Sequence, residues 1–228
     1  MTGTPLTFGG VAAIALPEGA LLLPDHAALV VADLHLEKGS GLARQRCLLP
    51  PYDTRATLDR LEVLIRRWQP RLVICLGDSF HDGGGTNRMA PADRDGLGGL
   101  MAGRTWIWIA GNHDGVHAGA IGGQVVASFR LGPLTLRHQA DGSDDHAAEV
   151  SGHFHPKAAV AAYRRRITLP CFVDDNRRLI LPAFGAYTGG LDVFDPALTA
   201  LLAPRFRVHV LGRDRVHTLP AAALLRPR

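Results

Sequence analysis

The chain has 228 residues, enough for one substantial core, and a single domain over residues 1–228 is expected. Its 46% hydrophobic and 20% charged residues are those of an ordinary globular protein, which excludes disordered, collagen-like and coiled-coil classes. The formal charge of +4 and a pI of 9.3 suit a polyanionic partner, and since only two of the 25 basic residues are lysines, Lys38 and Lys157, nearly all of that charge is arginine.

The opening stretch MTGTPLTFGGVAAIALPEGALLLP has no basic leader, and Pro17, Glu18 and Gly19 break its apolar run, so no signal peptide is expected. No run approaches the ~18 apolar residues of a membrane span. Cys47, Cys75 and Cys171 are odd in number and widely spaced, which fits neither a disulfide framework nor a CxxC zinc motif. A cytoplasmic location is the expectation.

Ala27 to Val31, Arg71 to Leu76 and Thr105 to Ala110 read as buried strands, and each ends in a polar cluster. Between the first two, Leu58, Leu61, Ile65 and Trp68 recur at helical spacing. This predicts a helix from Asp53, as its cap, to Trp68, with Pro70 just beyond. A weaker helix over Pro91 to Ala102 carries Gly96, Gly98 and Gly99. After Gln124 the pattern becomes short strands: VVASFRLGPLTLRH pivots on Gly132-Pro133, followed by AAVAAYRR, ITLPCFV, RLILPAF and RFRVHVLG, with Asp174-Asp175-Asn176 as a hairpin turn. An α/β first half and a strand-rich second half predict two packed sheets with helices outside.

Ligands of open α/β sheets bind where the carboxyl ends of strands converge, and the polar clusters sit there. They are Asp33-Leu34-His35; Gly77-Asp78 with His81; Gly111-Asn112-His113-Asp114; His138; and Gly152-His153-Phe154-His155. Singly, each is also an ordinary turn, cap or surface histidine. HxH says more, because two imidazoles two apart on an extended segment share a face and can chelate one ion. Five such clusters in order, four directly after strand-like runs, point to one site. The donors are carboxylate, carboxamide and imidazole without thiolate, a set suited to Mn²⁺, Fe²⁺ or Zn²⁺ and large enough for two metal ions.

DxH, GDxxH, GNHD, a lone His and GHxH in this order resemble the calcineurin-like metallophosphoesterase superfamily, which implies a four-layer αββα sandwich of two mixed sheets flanked by helices. By that resemblance Asp33, His35 and His155 hold one metal and Asn112, His138 and His153 the other. Asp78 bridges them, and His113 meets the substrate. Two cations ~3.5–4 Å apart lower the pKa of a water and neutralise phosphate oxygens during in-line attack. Protonated His113 donates to a phosphoryl or leaving oxygen, with Asp114 or another carboxylate as its orienting partner. Gly77-Asp78-Ser79-Phe80-His81 is similar to the GDxFH of double-strand-break repair nucleases, which implies a second catalytic histidine at His81, against the alternative that His81 only packs a loop.

ADLHLEKGSGLARQ, LPPYDTRATLDRL and LPAFGAYTGGLDV resemble the ligase-associated DNA damage response endonucleases, over residues 25 to 195. That resemblance implies a Mn²⁺-dependent phosphodiesterase or DNA endonuclease acting on single-stranded or damaged DNA, with an ATP-dependent DNA ligase and a helicase as partners. His138 is followed by Gln139 where the superfamily usually has glycine, which leaves the local backbone open. Competing readings are a small-molecule phosphodiesterase or pyrophosphatase and a non-catalytic repair subunit. Arg44 and Arg46, expected in a loop, and Arg164, Arg165 and Arg166 are candidate phosphate contacts, the triplet equally an edge-strand guard. Tyr163 is a candidate base-stacking residue; Phe154 is assigned to the core. His26, His117, His146, His209 and His217 carry no motif and read as surface or structural.

Overall fold

A computed structural model describes residues 3–141, 148–162 and 164–227, so His146 and Tyr163 lie outside the described residues. The first sheet runs in chain order through β1 (Thr4–Phe8), β2 (Val11–Ala15), β3 (Leu21–Leu23), β4 (Ala28–Val31), β5 (Leu72–Cys75), β6 (Thr105–Ile109) and β7 (Gln124–Val126). Strands β1 to β4 pair antiparallel and β4 to β7 parallel. The second sheet uses β8 (Ser128–Leu131), β9 (Leu134–Arg137), β10 (Ala148–Ser151), β12 (Arg165–Asp174), β13 (Arg178–Ile180), β14 (Arg207–Leu211) and β15 (Val216–Pro220). Its order is β15-β14-β12-β13-β10-β9-β8, and β11 (Lys157–Ala162) pairs with β12 outside that path. Only β9, β10 and β13 pair parallel in it, so both sheets are mixed.

Alternate side chains of a strand face opposite sides, and that alternation builds the layers. Ala28 and Val30 of β4 and Ile107 and Ile109 of β6 enter a core shared with Leu136, Val150, Phe172 and Leu179 of the second sheet. Leu29, Val31, Trp106 and Trp108 enter a second core under the helices. Burial on both faces is why these strands read as unbroken apolar runs. Each such fully buried leucine or isoleucine contributes about 1.5–3 kcal/mol.

The helices over the first sheet are α1 (Lys38–Arg44), α2 (Asp53–Trp68), α3 (Gly85–Arg88) and α4 (Pro91–Met101). Leu58, Leu61 and Ile65 are buried as their spacing predicts, and Leu64 joins them. Asp53 is not the cap: Tyr52 holds that position, and Asp53 Oδ2 accepts the Gly39 N–H at 3.0 Å, tying α2 to α1. The glycines of α4 face open space, and buried Leu97, with partly buried Leu100 and Met101, anchors that helix against the core. Beyond the second sheet lies the short helix α5 (Pro196–Thr199), over a third core that includes Phe154 and Leu198. The expected αββα layering holds, with this outer layer thin.

Both expected hairpins form, β8–β9 around Gly132-Pro133 and β12–β13 around Asn176, whose φ is +70°. Strands β1 to β3, β15 and helix α1 are additions to the sequence reading, and Arg44 ends α1 instead of lying in a loop. Arg165 and Arg166 pair with Ala162 and Ala161, whereas Lys157 pairs with Pro170. The triplet therefore lies about 16 Å along the hairpin from Lys157 at ~3.3 Å per residue. Arg166 there bonds the Arg226 carbonyl and lies 3.9 Å from Asp192. No helix among the described residues is long and apolar enough to cross a membrane.

Candidate metal centre

The polar residues after β4, β5, β6, β9 and β10 come together over the carboxyl ends of those strands. Asp33 follows β4 and is fully buried; its Oδ2 accepts the His153 N–H at 2.9 Å. Its Oδ1 has no hydrogen-bond partner and lies 3.6 Å from His155 Nε2 and 3.8 Å from His138 Nδ1. A buried carboxylate oxygen without a donor costs stability unless something cationic meets it. The Nε2 atoms of His35 and His155 face each other at 3.3 Å. Asp33, His35 and His155 thus form one group able to hold an ion.

The second group is Asp78, His138 and His153. His138 Nδ1 donates to the Leu76 carbonyl at 2.8 Å, which fixes the tautomer and leaves Nε2 as a lone pair. That Nε2 lies 3.5 Å from Asp78 Oδ2 and 3.1 Å from His153 Nδ1. The buried, unpartnered oxygen of Asp33 and two sets of converging donors fit a pair of divalent ions. Asn112 is exposed and directly precedes His113, whose N–H donates to Asp78 Oδ1 at 2.9 Å.

Burial, then the neighbouring charges of His155, Lys38, His113 and His81, drive the His35 pKa down to about 2. His153 is lowered too, by burial and then His138, while Asp33 and Asp78 act the other way. Imidazoles held neutral keep their lone pairs free for a metal.

The backbone here is strained. Asp33, His35, Asp78, His153 and His155 all have positive φ, from 44° to 71°, in the left-handed region that non-glycine residues rarely occupy. Such strain costs about 1–3 kcal/mol per residue and collects at functional sites. Glycines make room: a Cβ on Gly111 would lie 2.1 Å from Asp78 N, and one on Gly152 2.6 Å from Asp33 Oδ2. Gln139 is exposed and does not have a positive φ, so its backbone position does not require the family's glycine.

His113 and His81 stand at the open side. Their rings stack with centroids 5.7 Å apart, and His113 Nδ1 donates to the His81 carbonyl at 3.0 Å. His113 Nε2 lies 3.9 Å from Asp78 Oδ2, and half of its side chain is exposed. Asp114 does not touch His113. Its Oδ2 accepts the N–H groups of Ser79 and Phe80 at 2.7 and 3.1 Å, and its Oδ1 that of Gly111 at 3.2 Å. It clamps the Asp78 turn to the Asn112 turn. The orienting acceptor of His113 is therefore a carbonyl, which no sequence motif marks.

A further network, also without a motif, starts at Asp82, the residue after His81. Arg88 binds Asp82 through both terminal nitrogens, at 2.8 and 2.9 Å, and donates Nε–H to Ser40 Oγ at 3.0 Å. Ser40 and Thr54 in turn donate to the Glu37 carboxylate. Burial first, then the charges of Lys38 and His113, lowers the His81 pKa.

Residues 27–146 match the family model for calcineurin-like phosphoesterases. Among solved structures, the chain is similar to the nuclease MPE of Pseudomonas putida, at 30% identity and a TM-score of 0.74, covering 94% of this chain and 98% of that one. It is also similar to Yfce, a phosphoesterase from E. coli, at 13% identity and a TM-score of 0.43, over 86% of this chain and 98% of that one. No curated protein matches the chain. With the family model matching more than half of the chain and a full-length structural relative at 30% identity, this protein belongs to the calcineurin-like phosphoesterases and is a metal-dependent phosphoesterase.

Proposed function

We propose that the protein is a dinuclear phosphodiesterase, with Mn²⁺ as its working ion, that cuts single-stranded or damaged DNA as a one-domain cytoplasmic endonuclease. Asp33, His35 and His155 would hold one ion and Asn112, His138 and His153 the other, with Asp78 between them. The observation that carries the reading is the stacked His113 and His81 pair at the open side of both donor groups. A diester carries an esterified oxygen on each side of the reacting phosphorus, the leaving one and the retained one, and two neighbouring imidazoles can meet both. When bound, the ions supply an activated water and neutralise phosphate oxygens.

The chain's own residues do the rest. Because Nδ1–H of His113 is donated to the His81 carbonyl, Nε2 donates to a phosphate or leaving oxygen only as imidazolium. His81, its pKa lowered, stands beside it as the neutral partner. The likeness to a protein described as a nuclease supports DNA as substrate. The motif resemblance to the ligase-associated endonucleases extends the reading to DNA damage response beside an ATP-dependent DNA ligase and a helicase.

The test compares Mn²⁺, Mg²⁺ and Zn²⁺ on bis-p-nitrophenyl phosphate, on the monoester and on circular single-stranded DNA. Mn²⁺-dependent nicking of the circle supports the endonuclease reading. Turnover of the small diester without nicking would make this a small-molecule phosphodiesterase instead.

A further inference from the structure

A groove of about 420 Å³ leads away from His155, between the Pro17-Glu18 turn and residues 183–189, and Lys157 and Arg60 line it. That volume is in the ~300–1,000 Å³ range of ordinary ligand sites. Pro17, Pro170 and Leu211 make its walls partly apolar. Arg60 is already committed: it donates to the Phe184 carbonyl, lies 4.4 Å over the Phe184 ring and is electrostatically coupled to Glu18, the groove's carboxylate.

Lys157 has no ion-pair or hydrogen-bond partner for its ammonium among the described residues. Its stem passes close over Gly190, where a Cβ would lie 2.9 Å from Lys157 Cε and 2.1 Å from the His155 carbonyl oxygen. The backbone there thus leaves the space that the lysine stem and the His155 turn fill. Lys38, the chain's other lysine, acts electrostatically on His35 and His81 and also lacks an ion pair among the described residues. The ring of His155, which lines the groove with Lys157, neighbours that of His35 at 5.1 Å between centroids, and His35 lies 5.3 Å from His113. In a chain whose cations are otherwise arginines, both lysines stand beside this histidine array. One isolated phosphate needs only the centre, whereas further cations beside it fit a chain of phosphates.

We propose that this groove holds the nucleoside and phosphate next to the scissile phosphate of a single strand, with Lys157 meeting that neighbouring phosphate and the apolar walls meeting sugar and base. The inference rests on the DNA phosphodiesterase reading above and adds a basis for preferring a strand over a small diester.

The experiment uses the full-length Mn²⁺-loaded enzyme and compares an oligodeoxynucleotide with bis-p-nitrophenyl phosphate, which has no neighbouring phosphate for Lys157 to meet. In Lys157→Gln the ratio of the two kcat/KM values falls about tenfold, and the salt dependence of oligonucleotide binding loses about one unit of slope. Lys157→Arg, which keeps the charge, restores the ratio and controls for misfolding. A neutral methylphosphonate beside the scissile position weakens cleavage by the wild type and adds no further loss in Lys157→Gln. An unchanged ratio in Lys157→Gln overturns the groove assignment alone. A wild type that turns over the small diester but no oligonucleotide overturns the DNA reading and the groove with it.

Discussion

Asp114→Asn isolates the clamp between the two turns that carry Asp78 and Asn112. The carboxylate is buried and accepts three backbone N–H bonds, from Ser79, Phe80 and Gly111. Bonds to a charged acceptor contribute about 1.5–3 kcal/mol each. Burial opposes them and raises the Asp114 pKa, with the charge of Asp78 adding to that rise, so the three do not sum in full. An asparagine in the same pose keeps one oxygen but turns its amide NH₂ toward a backbone donor. The net loss is then about 2–4 kcal/mol. With a urea slope of ~2–3 kcal/mol per molar, the unfolding midpoint falls by about 1 M. Because Ser79 follows Asp78 directly, the carboxylate of Asp78 shifts as well, and turnover of bis-p-nitrophenyl phosphate drops about tenfold or more. A midpoint within about 0.3 M of wild type would refute the clamp.

Asp78→Asn removes most turnover and lowers bound metal, measured by elemental analysis; full occupancy with normal rates would contradict a bridging role. His113→Ala retains both ions while slowing diester hydrolysis by about 10²–10⁴-fold, as loss of a general acid does, and loss of metal would make it a ligand. For His81→Ala the ratio of diester to monoester rates falls; equal small effects on both would make it a packing residue. In the metal-free protein, His35, His81 and His153 all have lowered pKa values. The unfolded chain therefore binds more protons as pH falls through ~6.5, and stability drops from pH 7 toward 5. The slope is at most about 1.4 kcal/mol per pH unit for His35 and less for the partly exposed His81 and His153. Urea midpoints at pH 7.5 and 5.5 check the sign, and a higher midpoint at pH 5.5 would contradict it.

Much of the architecture is legible in local pattern. Helix α2 runs from Asp53 to Trp68 because Leu58, Leu61 and Ile65 recur at helical spacing, and β4, β5 and β6 are apolar runs because both of their faces are buried. The N-terminal strands were less legible: β2 alternates buried and exposed positions, but all five of its side chains are apolar, so period two leaves no mark in residue type. Helix α1 holds two buried glycines, Gly39 and Gly41, where a strong helix former would collide with Asp53 and His81. Local propensity was set aside there for close approach to the site.

Residue types and their order restrict the clusters after the apolar strands to oxygen and nitrogen donors suited to cations. Which of those groups meet is a matter of packing. Asp33 meets His153 and His155 from well over a hundred residues away along the chain, Asp114 binds the turn after β5, and His113 takes its orientation from a backbone carbonyl. Those pairings depend on where separate loops land after two sheets pack. The physical reason is that strand identity is a local property of side-chain pattern, whereas a hydrogen-bond partner is chosen by three-dimensional proximity that no spacing along the chain encodes.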